Sequence, residues 1–534
     1  MILVRQIKLA ILDDNELELK KKIAKKCNIK IDDIISYKIS KKSIDARKKD
    51  DICYVYEVKV NIKNEDRVLV NNKSNDILKS VDEKYSFEIT GLKKMKNRPI
   101  IVGSGPAGLF AGLLLAENGY RPIIIERGEN INDRVNSVSK FWNDGVLNLN
   151  SNVQFGEGGA GTFSDGKLNT MVKDSKNRGK KVFETFVECG APDDIMYLSK
   201  PHIGTDLLRK VIINLREKII SLGGTFYYNT CLTDIVVKNN KIEKVILNDS
   251  KEMNCDVLVL AIGHSARDTF KMLLERKIEM SSKPFAVGFR VQHPQTLINE
   301  IQYGKKYAKV LPPTSYKLTY NDLKNKKGVY SFCMCPGGYV VNASSEKNML
   351  AINGMSNHNR DSGNANSAIV INVDRNDFGD GVLAGMEFQR CLEAKAYKLG
   401  DGRIPVQLLG DFINNRISTT FGEVKPMFKG NYQFADLNEL LSDKLNDIIK
   451  DAFRYFDKKM NGYLMNDAIL AGIESRTSSP VTIKRNELGV SNIDGIYPCG
   501  EGCGYAGGIT TASMDGIKVA EFIAKIYKNI DNMD

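Results

Sequence analysis

The segment Pro99–Glu126 decides the fold, and it reads PIIVGSGPAGLFAGLLLAENGYRPIIIE. A short apolar run, Ile100–Val102, ends in a glycine-rich turn, and a helical pattern follows directly. A second apolar run, Ile123–Ile125, then ends in the acidic residue Glu126. This order of strand, glycine turn, helix, strand and acid is the one that a dinucleotide-binding βαβ unit requires.

Each glycine of the turn Gly103–Gly108, named here the dinucleotide turn, has a predicted role. Gly103 permits the tight turn, Gly105 lets the backbone approach a pyrophosphate, and Gly108 lets the helix pack closely against the strand. The start of the helix supplies free N–H groups and partial positive charge to the phosphates. Glu126 is expected to accept hydrogen bonds from ribose hydroxyls.

The same segment permits two other interpretations. Residues 99–116 are apolar enough to suggest a membrane span, and Gly108 and Gly112 have the spacing of a helix-dimerisation motif. Pro106 and the glycines would break such a helix near its middle. A purely structural glycine turn is the second alternative. The acid placed after a second strand favours the dinucleotide site.

Length and composition indicate a multidomain globular chain. Its 534 residues suggest two or three domains, and 42% hydrophobic with 27% charged residues is typical of a soluble protein. The ten cysteines are scattered without zinc-like spacing, so we predict reduced thiols and no metal site. The opening residues lack a secretory signal pattern, and a cytoplasmic location is expected.

The net charge of +12 is concentrated near the beginning of the chain. Residues 1–98 carry 24 basic and 16 acidic side chains, an excess of 8. Such a segment can contact nucleic acid or an acidic partner. Because the two signs are interleaved and no stacked-aromatic RNA motif appears, a solvated lysine-rich surface is the favoured interpretation.

The sequence predicts an α/β protein with an inserted β-rich region. Strand and helix patterns near the beginning predict a small basic α+β domain, with a ferredoxin-like topology as one interpretation and a turn at 41–49. From about Phe285, short β-rich segments predict an antiparallel substrate domain. The predicted divisions are 1–90 for the basic domain, 91–98 for a linker, 99–280 for the first part of the dinucleotide-binding domain, 281–460 for the substrate domain, and 461–534 for the return to the dinucleotide-binding domain.

Two further segments are rich in glycine. Gln154–Lys167, named here the glycine-rich loop, implies a backbone that passes close to a flat or phosphorylated ligand. Its interleaved Phe155, Phe163 and Lys167 distinguish it from a flexible linker. A buried strand ends in Gly263, where a nucleotide would lie. The last glycine-rich segment is Gly495–Gly516.

These motifs carry a resemblance to known flavoproteins. Gly103–Glu126, the strand end Ala261–His264 and the strand end Ile496–Glu501 together resemble the three separated FAD motifs of glutathione-reductase-like flavoproteins. The insertion resembles the p-hydroxybenzoate-hydroxylase-type branch of that group. A narrower resemblance, spanning essentially the whole chain, is to a family of poorly characterised bacterial FAD-dependent dehydrogenases. It is carried by Phe155–Leu168, Phe332–Gly338, Glu474–Pro480 and Gly500–Gly508.

The resemblance implies a Rossmann-like FAD-binding domain and a set of cofactor contacts. The dinucleotide turn would hold the FAD pyrophosphate, and Glu126 would bind the adenosine ribose. The glycine-rich loop, at residues 158–162, and Gly507–Ile509 would flank the isoalloxazine. Glu501 stands where the wider group usually has an aspartate against the ribityl chain. The implied cofactor-binding residues are Gly103, Ser104, Gly105, Pro106, Ala107, Gly108, Glu126, Arg127, Gly159, Ala160, Gly161, Thr162, Gly263, Gly500, Glu501, Gly507, Gly508 and Ile509.

The candidate catalytic residues each have a structural alternative. Cys335, with Cys333 in a CxC pair, is a thiol near the flavin or a cysteine of an ordinary strand. Glu474 and Arg476 bind an acidic substrate or flavin, or form a surface ion pair. His264 is an acid–base group or a packing residue.

The resulting expectation is an oxidoreductase with non-covalently bound FAD that acts on an unidentified small molecule. No second GxGxxG follows a strand, so NAD(P)H or a protein electron donor would act without a domain of its own, or the substrate itself reduces the flavin. Two alternatives stay open: a flavoprotein that binds RNA or a protein through its basic N-terminal domain, and a flavin-binding regulatory protein with little turnover.

Overall fold

A five-stranded parallel sheet is built around Pro99–Glu126. The computed structural model describes residues 1–72, 74–81 and 84–530. Ile100–Val102 is the middle strand, with buried side chains on both faces, as a parallel strand covered on both sides requires. In spatial order the strands are Ile496–Pro498, Leu258–Leu260, Ile100–Val102, Ile123–Ile125 and Thr225–Tyr227. The predicted Rossmann-like domain is confirmed.

The two faces of this sheet are covered differently. One face packs against the helices Pro106–Glu117, Arg178–Glu188, Thr205–Ser221 and Ile509–Ile526. The other face packs against the antiparallel strands Leu232–Lys238, Lys241–Leu247 and Lys251–Asn254 and the helix Arg267–Glu275. Among the described helices, none combines the length and apolar character that a membrane crossing needs.

A seven-stranded sheet forms the inserted region. Its strands, in spatial order, are Thr319–Asp322, Lys327–Cys335, Asn364–Val373, Phe285–Pro294, Ile469–Glu474, Ile404–Leu408 and Tyr432–Phe434. All neighbouring strands are antiparallel except the last pair, which is parallel. The predicted antiparallel-β insertion is confirmed.

The boundary predicted at residue 460 lies before a strand of this sheet. Ile469–Glu474 is buried along its whole length and pairs with Phe285–Pro294 and Ile404–Leu408. A short, uniformly apolar strand looks the same in sequence whether it belongs to a parallel or an antiparallel sheet. The apolar pattern therefore does not show which of the two sheets contains this strand. Residues 531–534 of the predicted return segment lie outside the described residues.

Smaller elements complete the inserted region and its edges. Gly338–Asn342, Ile352–Ser356 and Phe428–Lys429 form a three-stranded sheet, and Met280–Ser282 pairs with Val481–Ile483. Outside the N-terminal module, the other α-helices of the described residues are Ile131–Asp144, Gln295–Tyr307, Arg375–Phe378, Ala384–Leu399, Leu409–Ile413 and Asp443–Lys459.

The N-terminal module has the ferredoxin-like order βαββαβ. Its elements are Ile2–Ala10, Glu16–Cys27, Ile34–Asp45, Cys53–Ile62, Glu65–Asn71 and Ile77–Lys79. The second strand of the chain lies at one edge, the third and first occupy the centre, and the fourth lies at the other edge, with all neighbours antiparallel. This is the split βαβ topology, and the ferredoxin-like interpretation is confirmed.

One expectation for this module was wrong in part, because the turn expected at 41–49 begins only after residue 45. The strand Ile34–Asp45 continues through residues 41–45, where a turn was expected. The register of its pairing with Cys53–Ile62 shifts between Ile39 and Lys41, and the pairing then continues to Asp45. The edge position leaves the lysines of this strand room to reach solvent, so a polar sequence does not end the strand.

The module is packed against the rest of the chain at two places. Ile11 and Ile52 form a buried apolar cluster with Tyr303, Tyr307 and Leu311. The backbone of Lys42 pairs with residues 197 and 199 through N–H···O bonds of 2.7 and 2.9 Å. The predicted linker is also held, because Gly91 and Lys93 donate backbone bonds to the end of the last helix.

A buried ion cluster, formed by Arg267, Glu346, Glu393 and Arg476, joins the inserted region to the parallel-sheet region. Arg267 lies on a helix beside the parallel sheet, and Glu393 lies on Ala384–Leu399. Both guanidinium groups bond the Glu393 carboxylate at 2.7 to 2.9 Å. Burial alone raises the pKa of Glu393, but Arg267 and Arg476 outweigh it and hold the pKa well below its usual range.

Replacing Glu393 tests whether the ion cluster holds the two regions together. In Glu393→Gln, two buried guanidinium groups lose their shared anion, and we expect the free energy of unfolding to fall by about 3–5 kcal/mol. Urea unfolding followed by circular dichroism measures the change. Glu387→Gln on the same helix is the control, since its half-exposed ion pairs are worth less than about 1 kcal/mol. Equal losses in the two variants would contradict the assignment.

Candidate functional site

One large cavity lies between the carboxyl ends of the parallel strands and the seven-stranded sheet. Its volume is about 580 Å³. The sequence-predicted residues that line it are Gly103, Gly105, Pro106, Ala107, Glu126, Arg127, Gly159, Ala160, Gly161, Gly263, Glu501, Gly507, Gly508 and Ile509, together with His264, Cys335, Glu474 and Arg476. The chain thus brings together segments about four hundred residues apart, from Gly103 to Ile509.

Four predicted cofactor residues lie behind the lining. A Cβ on Gly108 would lie 1.9 Å from the carbonyl oxygen of Gly103, so the helix packs against the strand as expected. Ser104 is fully buried, and Gly500 donates its N–H to Asp515. The Thr162 hydroxyl donates to the carbonyl of Glu157 at 3.2 Å. These residues shape the wall instead of facing the cavity.

The dinucleotide turn presents an uncapped helix N-terminus to the cavity. Gly105 is the N-cap of Pro106–Glu117, and no side chain bonds the first-turn N–H groups. A Cβ on Gly105 would meet only the Cα of Gly159, at 3.7 Å. The positive φ of Gly103, 103°, makes the tight turn possible. An anion can therefore reach the free N–H groups.

The carboxylate of Glu126 is already engaged by the protein. Its Oε2 accepts the N–H and hydroxyl of Ser104, at 3.0 and 2.8 Å. Its Oε1 accepts the N–H groups of Gly128 and Gly156, at 2.9 and 3.0 Å. A carboxylate offers about four acceptor positions, so a ribose hydroxyl has to share an oxygen or displace the Ser104 hydroxyl.

Arg134 supports the glycine-rich loop and was not predicted from the sequence. Its fully buried guanidinium donates to five backbone carbonyls, those of Asn152, Val153, Gly156, Glu157 and Gly159. Burial lowers the pKa of Arg134 to about 9. The sequence offers one signal, since Arg134 falls among the buried positions of an amphipathic helix.

A second uncapped helix N-terminus opens on the same cavity. Gly508 precedes the helix Ile509–Ile526, and no side chain caps it. A Cβ on Gly263, Gly507 or Gly508 would meet no atom within 4 Å. His264 lies here, with Nδ1 3.4 Å from Glu501, and its buried Nε2 has no protein partner among the described residues. Two helix N-termini and glycine walls fit an elongated molecule that carries phosphates and a flat ring.

Glu474 and Arg476 do not form the surface ion pair that was considered for them. Both are buried, and each has another partner. The Glu474 carboxylate accepts from Arg290 at 2.7 Å, and Arg476 belongs to the ion cluster. Burial raises the pKa of Glu474, although Arg290 opposes the shift. Arg290 was not predicted, because an arginine inside an apolar strand gives no motif.

Cys333 and Cys335 lie beside an irregularity in the strand Lys327–Cys335. The pairing with Asn364–Val373 shifts between Phe332 and Cys335, and Cys333 has a φ of 41°. Cys333 is exposed and lines the cavity. Burial raises the pKa of the Cys333 thiol to about 12, and it also raises that of Cys335. A thiolate is therefore disfavoured at neutral pH.

The described residues offer no metal centre. Across 1–72, 74–81 and 84–530, no group of three or more His, Cys, Asp or Glu side chains is arranged to hold a metal ion. All ten cysteines are free thiols.

The sequence matches known families along most of its length. A family model described as "FAD-dependent protein, C-terminal domain-like" matches residues 284–477, and one described as "FAD binding domain" matches residues 97–139. A domain of unknown function matches residues 1–61. An "Uncharacterized protein" from Clostridium beijerinckii is 50% identical over 522 residues, which is 97% of either chain. The chain belongs to this poorly characterised family of FAD-dependent proteins.

The predicted family and cofactor are thereby confirmed. FAD is the cofactor, and the electron-transfer chemistry that FAD supplies when bound is that of the oxidoreductase class. Solved structures similar to it include glycine oxidase from Geobacillus kaustophilus, 11% identical, covering 80% of this chain and 95% of that one with a TM-score of 0.36. L-proline dehydrogenase from P. horikoshii is 12% identical, covering 81% and 94%, with a TM-score of 0.33.

Alkylation tests whether the CxC pair of this FAD-dependent protein is reactive. Cys333 and Cys391 are both exposed, but only the thiolate attacks iodoacetamide. With the pKa of Cys333 raised to about 12, we expect its alkylation at pH 8 to be at least about tenfold slower than that of Cys391. The rate at Cys333 should rise with pH as its thiolate forms. Peptide mass spectrometry measures both rates, and labelling of Cys333 as fast as Cys391 would show a reactive thiol.

Proposed function

We propose that this chain is an oxidoreductase that holds FAD non-covalently along the cavity and acts on a small molecule under the seven-stranded sheet. One observation carries the proposal: two uncapped helix N-termini and open glycine positions face a single cavity. The wall opposite them belongs to a different sheet, which leaves a place for a second molecule beside the cofactor.

The proposed cofactor contacts follow the cavity from one end to the other. The dinucleotide turn binds the pyrophosphate, because its free N–H groups and the helix dipole favour negative charge. Glu126 and Arg127 border the adenosine end, where the Arg127 guanidinium lies 4.4 Å from the centroid of the Phe155 ring. Gly507, Gly508 and the glycine-rich loop border the flavin ring. Glu501 and His264 lie between these ends.

The proposed substrate side is formed by the seven-stranded sheet and the segment before it. Tyr316, Phe332, Met334 and Asn353 line the cavity there, together with Glu474. FAD, when bound, accepts or donates electrons. Asn353 is oriented by Arg290, whose Nη2 donates to its Oδ1 at 3.0 Å. The raised pKa of Glu474 suits it to hold or accept a proton from the substrate.

The alternative of RNA binding through the N-terminal module receives no specific support. RNA-binding sheets expose aromatic rings on which bases stack. Here the Lys42 ammonium lies 4.2 Å from the centroid of Tyr54 and 5.3 Å from that of Tyr56, and Tyr56 is buried. The regulatory alternative predicts that no donor reduces the bound flavin, which an anaerobic screen of small molecules decides.

A valine at Gly105 tests the cofactor site. In Gly105→Val, the fold has room for the side chain and the residue before a proline favours extended backbone, but the side chain occupies the pyrophosphate position. We expect flavin occupancy below about a tenth of the wild-type value. Absorbance of the purified protein and chromatography of the released flavin measure it.

Gly328→Val is the matched control, because a Cβ at this strand position meets only ordinary contacts at 3.5 Å. Normal flavin content in Gly105→Val would overturn the assigned pyrophosphate site. A wild-type protein that neither contains nor takes up FAD would overturn the proposed function as a whole.

A further inference from the structure

We infer that the substrate is a small organic anion whose negative group is bound by Lys200, at an end of the cavity that carries three lysines. This inference rests on the proposed function and specifies its substrate class. Lys167, Lys200 and Lys317 all line the cavity, and they are named here the lysine end.

The contacts of the three lysines place them at one end of the cavity. The Lys200 ammonium donates to the Ser315 hydroxyl at 3.2 Å, and Lys317 follows two residues later. The backbone of Lys167 pairs with that of His202, two residues beyond Lys200. The Lys167 ammonium donates to the carbonyl of Met334 in the seven-stranded sheet. The lysine end therefore lies beside the proposed substrate side.

The charges at this end do not balance within the protein. Asp165 is the acid of the lysine end, and Arg360 neutralises it through two bonds of 2.6 and 3.0 Å, with Lys167 3.7 Å away. The nearby Glu474 is matched by Arg290. Among the described residues, no carboxylate forms an ion pair with Lys200 or Lys317. Two ammonium groups are thus available to a ligand.

The positive charges of Arg360 and Lys167 destabilise the Lys200 ammonium unless an anion is bound beside it. Partial desolvation where Lys200 borders the cavity lowers its pKa, although the residue is exposed, and the two neighbouring cations lower the pKa further. A bound carboxylate or phosphate would relieve this repulsion, since an opposite charge stabilises the protonated form. The lysine ammonium is a compact charge without the planar donor arrangement of arginine. It can therefore bind either a carboxylate or a phosphate.

The N-terminal module contacts the two segments that contain Lys200 and Ser315. Ser199, which precedes Lys200, donates its N–H to the carbonyl of Lys42, and the Lys42 N–H donates to the carbonyl of Tyr197. Leu311, four residues before Ser315, is buried in the cluster with Ile11 and Ile52. Segments that are fixed in this way favour binding, because less conformational entropy is lost when the ligand binds.

Apolar side chains adjoin the lysine end and indicate the rest of the ligand. Tyr316, Phe332 and Met334 line the same part of the cavity, and two of these side chains are aromatic. A ring or short apolar body would be covered by them while its anionic group reaches Lys200. Benzoate and phenyl phosphate are therefore suitable probes, and benzamide is the uncharged analogue of benzoate.

The test uses FAD-loaded protein and does not depend on turnover. Benzoate, phenyl phosphate and benzamide are titrated separately, and perturbation of the flavin absorbance gives each dissociation constant. We expect at least one of the two anions to bind, and benzamide to bind much more weakly. In Lys200→Gln the affinity for that anion should fall about tenfold or more, as for loss of a charged hydrogen bond, with flavin content unchanged.

Lys22→Gln, at an exposed lysine on the N-terminal helix, is the control and should bind as the wild type does. Which anion binds decides between a carboxylate and a phosphate. The inference is overturned if neither anion binds, if benzamide binds equally well, or if Lys200→Gln retains wild-type affinity. Failure of the proposed function would show itself differently, as absence of FAD or of any compound that reduces it.

Discussion

The carboxylate of Glu126 is the contact on which the cofactor end of the cavity depends. It accepts hydrogen bonds from the dinucleotide turn at Ser104, from its own strand end at Gly128, and from the glycine-rich loop at Gly156. Three segments are thereby fixed relative to one another around a buried negative charge. Arg134 acts on the same loop by donating hydrogen bonds to carbonyl oxygens that would otherwise be buried without partners. The shape of the wall is therefore set by one anion and one cation.

The cavity needs two sheets, and buried charge holds them together. The parallel sheet provides the helix N-termini that suit a dinucleotide, and the seven-stranded sheet provides the opposite wall. Arg267 and Arg476 meet at Glu393 between these regions. A buried ionic contact is costly to form but strict in geometry, which suits a boundary where a cofactor and a second molecule have to meet in a fixed arrangement. A second buried ion pair, between Arg290 and Glu474, joins two strands within the seven-stranded sheet.

The N-terminal module contributes to the cavity without lining it. Its basic composition suggested a binding surface, yet its contacts with the rest of the chain are an apolar cluster and a short backbone pairing. Both contacts lie next to segments that lead into the cavity, at Lys200 and Ser315. The module thus positions the lysine end of the cavity, which connects its role to the identity of the ligand.

The sequence alone predicted the parallel sheet and the glycines that face the cavity, and it offered the ferredoxin-like module as one interpretation, because each follows from local periodicity or from a motif of short range. It did not determine the partners of Glu474, Arg476 or Glu126, since a hydrogen bond depends on which distant segment arrives beside the side chain. The strand Ile469–Glu474 shows the same limit, as its apolar run fits either sheet. Arg290 and Lys200 became visible only in the tertiary structure, because isolated basic residues give no motif. The burial of Arg290 and the position of Lys200 at the cavity both depend on segments that are distant in sequence.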